Sequence, residues 1–131
     1  MSKFGVRGLF YSLRDRATHA IRINLVAPWI IDTPMTRTPD FVNSEAATLA
    51  KYAGMAPMER VLDAILRFCS DERLHGRAAG IFPLANEDLS DDLEGSFGGI
   101  VVQKHMSLVA QMIVKGMAAD AQGDGAHGKT T

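Results

Sequence analysis

Four histidines, one cysteine and a run of carboxylates are the side chains whose types invite a chemical reading. His19, His75, His105 and His127 stand 56, 30 and 22 residues apart. No pair has the i, i+3 or i, i+4 spacing that sets two imidazoles on one helix face, so no metal site is expected. Cys69 is the only cysteine, which excludes an internal disulfide and a zinc site built on several thiolates. It lies on an apolar stripe and reads as a small core residue. Ser12, Asp15 and His19 have the types of a nucleophile, an acid and a base, but on a helix they point to different faces and read as surface groups. Glu87, Asp88, Asp91, Asp92 and Glu94 place five carboxylates in eight residues with no basic neighbour. The run lacks the spacing and glycine of a calcium loop and reads as a solvated linker.

The chain has 131 residues, 47% apolar and 22% charged, as a folded domain of one unit does. Its net charge is −1, with six basic and two acidic residues over 1–37 and eight and thirteen over 38–131. That balance gives no footprint for nucleic acid. The first twenty residues scatter Lys3, Arg7, Arg14, Asp15 and Arg16 among apolar positions, unlike a signal peptide. No apolar stretch nears the roughly 18 residues of a membrane helix. A soluble, cytoplasmic protein with no membrane span is expected, and the lone thiol fits a reducing compartment.

The elements that must position any chemistry follow from periodicity. Val6, Leu9, Phe10, Leu13 and Ala17 share one face of a helix over 2–18. Residues 21–27 (IRINLVA) alternate as a strand. Pro28, Pro34 and Pro39 punctuate the loop that follows. A weakly patterned helix is expected over 41–53, capped by Asn43 or Ser44 with Glu45 in its first turn. A strong helix is expected over 58–70, with Val61, Leu62, Ile65, Leu66 and Cys69 buried and Glu59, Arg60, Asp63 and Arg67 wet. Residues 78–85 (AAGIFPLA) read as a short strand whose Pro83 belongs at an edge or near the end. Residues 86–99 read as an acidic, Gly-containing linker. Residues 100–118 read as an amphipathic helix with Val102, Met106, Val109, Ile113 and Met117 on one face, and 119–131 as a disordered tail. Two strands joined by a long helical crossover make a parallel α/β unit, too small to bury a sheet on both faces. The fold class is therefore α/β, a partial doubly wound unit formed by residues 1–85.

The order of these pieces resembles the C-terminal half of the short-chain dehydrogenases/reductases. The resemblance rests on Ser2-Lys3-Phe4-Gly5 opening the first helix, on Asn24-Leu25-Val26-Ala27-Pro28-Trp29-Ile30-Ile31-Asp32-Thr33 closing the strand, and on Met58-Glu59-Arg60-Val61, Ser70-Asp71-Glu72 and Gly80–Leu84. In that family a Tyr-x-x-x-Lys segment opens a long helix, and the next strand ends in Asn-x-(Val/Ile)-x-Pro-Gly-x-(Val/Ile)-x-Thr. The match covers roughly residues 2–85. It implies a partial Rossmann-like sheet and an NAD or NADP cofactor, with Lys3 as catalytic and ribose-binding lysine. Pro28, Ile31 and Thr33 would shape the loop that reads the nicotinamide carboxamide. Trp29, where the family has Gly, and Met35 would line a pocket for a small-molecule secondary alcohol or carbonyl.

The departures are as informative. The Gly-rich phosphate loop, the Asn-Asn-Ala-Gly segment, the catalytic Ser and the Tyr four residues before Lys3 do not occur in this sequence. The chain is thus expected to be a piece of such an oxidoreductase, cut in the gene model or in the product, and inactive alone. The other reading is a non-catalytic interaction module, a homo-oligomer formed through helix 2–18, since in the family that helix packs on its equivalent.

Overall fold

A computed structural model describes residues 2–16, 21–89 and 99–124. Helix α1 (Ser2–Arg14) leads to strand β1 (Leu25–Pro28), a 3-10 turn (Pro34–Arg37) and helices α2 (Pro39–Val42), α3 (Glu45–Ala53) and α4 (Met58–Ser70). Strands β2 (Ala78–Ile81) and β3 (Asn86–Asp88) and helix α5 (Gly99–Asp124) complete it. The fold is mixed α/β. β2 lies in the centre of a three-stranded sheet, parallel to β1 (Leu25 opposite Ala78) and antiparallel to β3 (Gly80 opposite Glu87). The β1–β2 connection runs through α2, α3 and α4, the crossover that a parallel pair requires.

The period-2 alternation of β1 and β2 builds two small cores. On one face Ala78 lies in a cluster with Phe10 of α1, Phe82 and Leu89, flanked by Leu25, Ala27, Trp29, Val101 and Val102. On the other, Ile81 is fully buried with Ala56 and Ala64 of α4, flanked by Val26, Ile31 and Val61. Gly80 makes the first core possible. A Cβ there would stand 2.6 Å from the Phe82 ring and 2.7 Å from a Leu89 methyl.

Several sequence expectations are corrected. The strand expected over 21–27 runs over Leu25–Pro28; ahead of it the Gly76 N–H donates to Ile23 O at 2.8 Å, and side chains supply the other bonds that hold residues 22–24. The Arg22 guanidinium donates to Phe68 O at 2.7 Å and Asp71 O at 3.0 Å, at the C-terminal end of α4. The Ile23 N–H donates to His75 Nδ1 at 3.2 Å, and His75 Nε2 lies 2.7 Å from Arg14 O. Asn24 spans the same turn, donating to Leu74 O at 2.9 Å and accepting from Arg77 N–H at 3.0 Å. The first helix ends at Arg14 instead of residue 18; residues 17–20, with His19, lie outside the described residues. Ser12 Oγ donates to Gly8 O at 2.8 Å, so that hydroxyl is spent within its own helix.

The helix expected over 41–53 is two helices. Ser44 is extended and receives the chain from α2 before α3 starts at Glu45. The expected strand 78–85 is a hairpin: β2 ends at Ile81, and Pro83 lies in the turn where the Phe82 N–H donates to Ala85 O at 3.0 Å. Residues 86–88, read as linker, form β3, secured by Arg77 on Asp88 and by His105 Nε2 on Glu87 Oε1 at 2.9 Å. Residues 90–98, with Asp91, Asp92 and Glu94, lie outside the described residues. The helix expected over 100–118 runs from Gly99 to Asp124, into the expected tail, and 125–131 are not described. On it Val109 is buried, whereas Met106 and Met117 are exposed.

The burial pattern of α4 is corrected as well. Its bounds agree with the sequence reading, but only Ala64 is buried, with Val61 and Phe68 partly so; Leu62, Ile65, Leu66 and Cys69 are exposed. On α1 only Phe10 is buried, with Val6, Leu9 and Leu13 exposed. Three short strands offer too little sheet to cover either stripe. No described helix is long and apolar enough to cross a membrane. Among the described residues no group of three His, Cys, Asp or Glu gathers as metal ligands.

Candidate functional site

In parallel α/β sheets, ligands lie outside the carboxyl ends of the strands. Here β1 and β2 both end at one edge, and the loop leaving β1 is fixed there by backbone pairing. The Trp29 N–H donates to Ile81 O at 2.9 Å, the next rung of the β1–β2 ladder. Ile31 then forms a parallel bridge with Ala56, in which the Ala56 N–H donates to Ile30 O at 2.8 Å and the Asp32 N–H to Ala56 O at 3.3 Å. In such a bridge the N–H and C=O of Ile31 itself point away from Ala56, off the pairing. Ala56, fully buried, anchors the whole segment from below.

Thr33 opens the 3-10 turn. Its N–H donates to Thr36 Oγ1 at 3.2 Å, and the Thr36 hydroxyl donates back to Thr33 O at 2.8 Å. Pro34, next in the chain, fixes the first turn position. Met35 points outward, 76% exposed. The Trp29 indole N–H reaches Gly54 O at 3.3 Å. Gly54 ends α3 with φ of +82°, a conformation that favours glycine, and thereby presents that carbonyl.

Pro28, Trp29, Ile31 and Thr33 are thus brought to one edge of the sheet. Lys3 lies on another element, in the exposed first turn of α1. The last turn of α1 is tied to the beginning of the strands, through Arg14 O on His75 and through Ile23. Helix α1, about 20 Å long at 1.5 Å per residue, packs Phe10 on the same sheet face as Trp29.

Sequence reasoning missed the partners that frame this edge. Trp29, Ala53, Phe82, Pro83, Leu84, His105, Leu108, Val109 and Met112 line an apolar cavity of about 120 Å³. The His105 ring lies on Phe82 at 3.7 Å between centroids and 10° between planes. Helix α5 is also held to α3. Lys51 Nζ donates to Asp120 Oδ2 at 2.5 Å and the Tyr52 hydroxyl to the same oxygen at 2.9 Å. Lys51 first, and then Tyr52, hold the Asp120 carboxyl below its ordinary range. Asp120 and then Tyr52 raise the Lys51 ammonium. The one available sequence signal was the apolar face of 100–118, which contains Val109 and lies beside Leu108 and Met112.

The chain is similar to two dehydrogenases. It is 41% identical over 101 residues to 5'-hydroxyaverantin dehydrogenase of Dothistroma septosporum, over 75% of this chain and 33% of that protein. It is 36% identical over 100 residues to a 5'-hydroxyaverantin dehydrogenase of Emericella nidulans, with the same coverage of 75% and 33%. The chain therefore spans about a third of the length of these curated relatives. No family model matches it, and no solved structure does.

Proposed function

We propose that the chain carries the C-terminal, nicotinamide- and substrate-facing elements of an NAD(P)-dependent short-chain dehydrogenase/reductase acting on a secondary alcohol or carbonyl. The observation that carries this reading is the loop Trp29–Thr33, pinned at the carboxyl edge of a parallel pair in a chain similar to two dehydrogenases. The parallel pair with its helical crossover is compatible with two neighbouring strands of a doubly wound sheet.

The residues present fit the nicotinamide end of such a cofactor. A carboxamide needs one donor and one acceptor held side by side. The N–H of Ile31, turned off the bridge to Ala56, would donate to its oxygen, and the hydroxyl of Thr33 would accept from its nitrogen. Pro28 turns the chain into that loop. Lys3, on α1, would donate from its ammonium to the ribose hydroxyls. The direction of α1 supports Lys3 in this role, because its C-terminal turn is fastened at the opposite, amino edge of the strands. Trp29 and Met35 wall the space where the alcohol or ketone enters. The cofactor, when bound, supplies the hydride acceptor or donor.

The chain spans about a third of the length of its two dehydrogenase relatives. The purified chain is accordingly expected to oxidise no NAD(P)H with a carbonyl substrate. The direct test is a chimera in which this chain replaces the aligned third of the Dothistroma relative. The chimera is expected to turn over NAD(P)(H), and Lys3→Ala to lower its kcat on the order of 10²-fold or more. A chimera that binds nucleotide but transfers no hydride overturns the reading.

A second reading, an interaction module, is favoured by one observation. Val6, Leu9 and Leu13 on α1 are 55%, 60% and 39% exposed, an apolar face on the surface. Self-association through α1 follows from that reading. A sedimentation experiment showing only monomer counts against it.

A further inference from the structure

The cavity beside Trp29 is lined almost entirely by carbon. Its titratable group is His105, whose ring is stacked on Phe82 and whose Nε2 is paired with Glu87. Its volume is about 120 Å³. An apolar cavity of about 150 Å³ takes up benzene; this one is somewhat smaller but open on one side, so its size corresponds to a single six-membered ring. Anything larger protrudes past Leu84, which is 87% exposed at the mouth. Trp29, Phe82 and Met112 each add a contact selective for aromatic rings over saturated ones: π-stacking from the first two and thioether contact from the third. Leu108 and Met112, one turn apart on α5, close the side away from the sheet. Helix α5 is fixed in that position at two points, His105 on Phe82 and Glu87, and Asp120 on Lys51 and Tyr52.

We propose that this cavity is a subsite for a single aromatic ring of the alcohol or ketone substrate, its depth set by Leu108 and Met112. That the ring belongs to a substrate rests on the dehydrogenase reading; that a ring binds does not.

Trp29 is the only tryptophan in the chain, so its emission reports directly from the cavity wall. The full chain is titrated with 1-phenylethanol and, separately, with 1-cyclohexylethanol. A saturable change in Trp29 emission is expected with both, and the phenyl alcohol is expected to bind about 3- to 10-fold more tightly. Leu108→Lys, which brings an ammonium to the cavity, abolishes the saturable change. Met112→Phe, which fills the cavity without a charge, weakens it several-fold. Far-ultraviolet circular dichroism of each variant reports whether α5 is retained. The subsite is overturned if the unsubstituted chain shows no saturable response, if the two alcohols bind equally, or if folded Met112→Phe binds as the unsubstituted chain does. A ring-binding chain whose chimera is silent sinks the dehydrogenase reading and keeps the subsite. An active chimera with no ring binding sinks the subsite alone.

Discussion

Gly80→Ala is the substitution that most sharply tests how the sheet supports the cavity. Gly80 is buried in the central strand, and an added Cβ would stand 2.6 Å from Phe82 Cε2 and 2.7 Å from Leu89 Cδ2. Both neighbours are buried, so neither can swing into solvent. Overpacking of this kind costs about 1–3 kcal/mol. The loss of glycine freedom in the unfolded chain offsets about 0.4–1 kcal/mol. The net expectation is a destabilisation of about 1–2 kcal/mol, a fall in melting temperature on the order of 3–8 °C for a chain of this size. Phe82 is also the surface on which His105 stacks, so the displaced ring loosens α5 and shifts Trp29 emission toward the red. Urea unfolding followed by circular dichroism and by Trp29 emission checks both effects. Unchanged stability with unchanged emission would refute the packing described for Phe82.

Three further outcomes are expected. Arg22→Ala removes a guanidinium that meets Phe68 O and Asp71 O at the end of α4, and the exposed site limits the cost to about 1–2 kcal/mol in urea unfolding. Arg22→Lys recovers less than half, because an ammonium lacks the planar fork. The link between α3 and α5 is acid-labile: Asp120 is held below its ordinary value of 3.8 by Lys51 and then by Tyr52. Its contribution is complete above that value and disappears as pH falls through the depressed one. Hydrogen exchange in α5 should accelerate there, and Asp120→Asn should remove this pH dependence. Gly116→Ala drives a methyl into the Tyr52 ring and should raise exchange in the C-terminal turns of α5 while leaving β1 and β2 protected.

The parts of the molecule that local sequence dictates were legible in it. The bounds of α4 and the start of β2 at Ala78 follow from periodicity and are where expected, whereas β1 runs one residue past the expected end and takes in Pro28. Asn86-Glu87-Asp88 forms a strand against its composition. It closes the second edge of β2, and its carboxylates meet Arg77 and His105, which are distant in sequence. Helix α5 runs beyond residue 118 because Lys51 and Tyr52 hold Asp120 from another helix. Leu62, Ile65, Leu66 and Cys69 have the period of a buried stripe, yet burial depends on how much sheet lies opposite, and three strands reach only Ala64 and Val61. In the candidate site, Pro28, Trp29, Ile31 and Thr33 were legible from the motif they spell. Ala56 and Gly54, which pin Ile31 and Trp29, carry no motif, and the α5 wall of the cavity lies outside the span that resembles the family.

The loop Trp29–Thr33 is proposed to read a nicotinamide carboxamide with the help of Lys3. Nicotinamide mononucleotide carries that ring and its ribose without needing a dinucleotide site. A titration of the isotope-labelled chain at millimolar concentrations, followed by amide resonances, measures the contact directly. Saturable shifts confined to Ile31, Asp32, Thr33 and the first turn of α1, reduced by Thr33→Val and by Lys3→Ala, are predicted. Shifts elsewhere, or none in this loop, would rule out a nicotinamide site there.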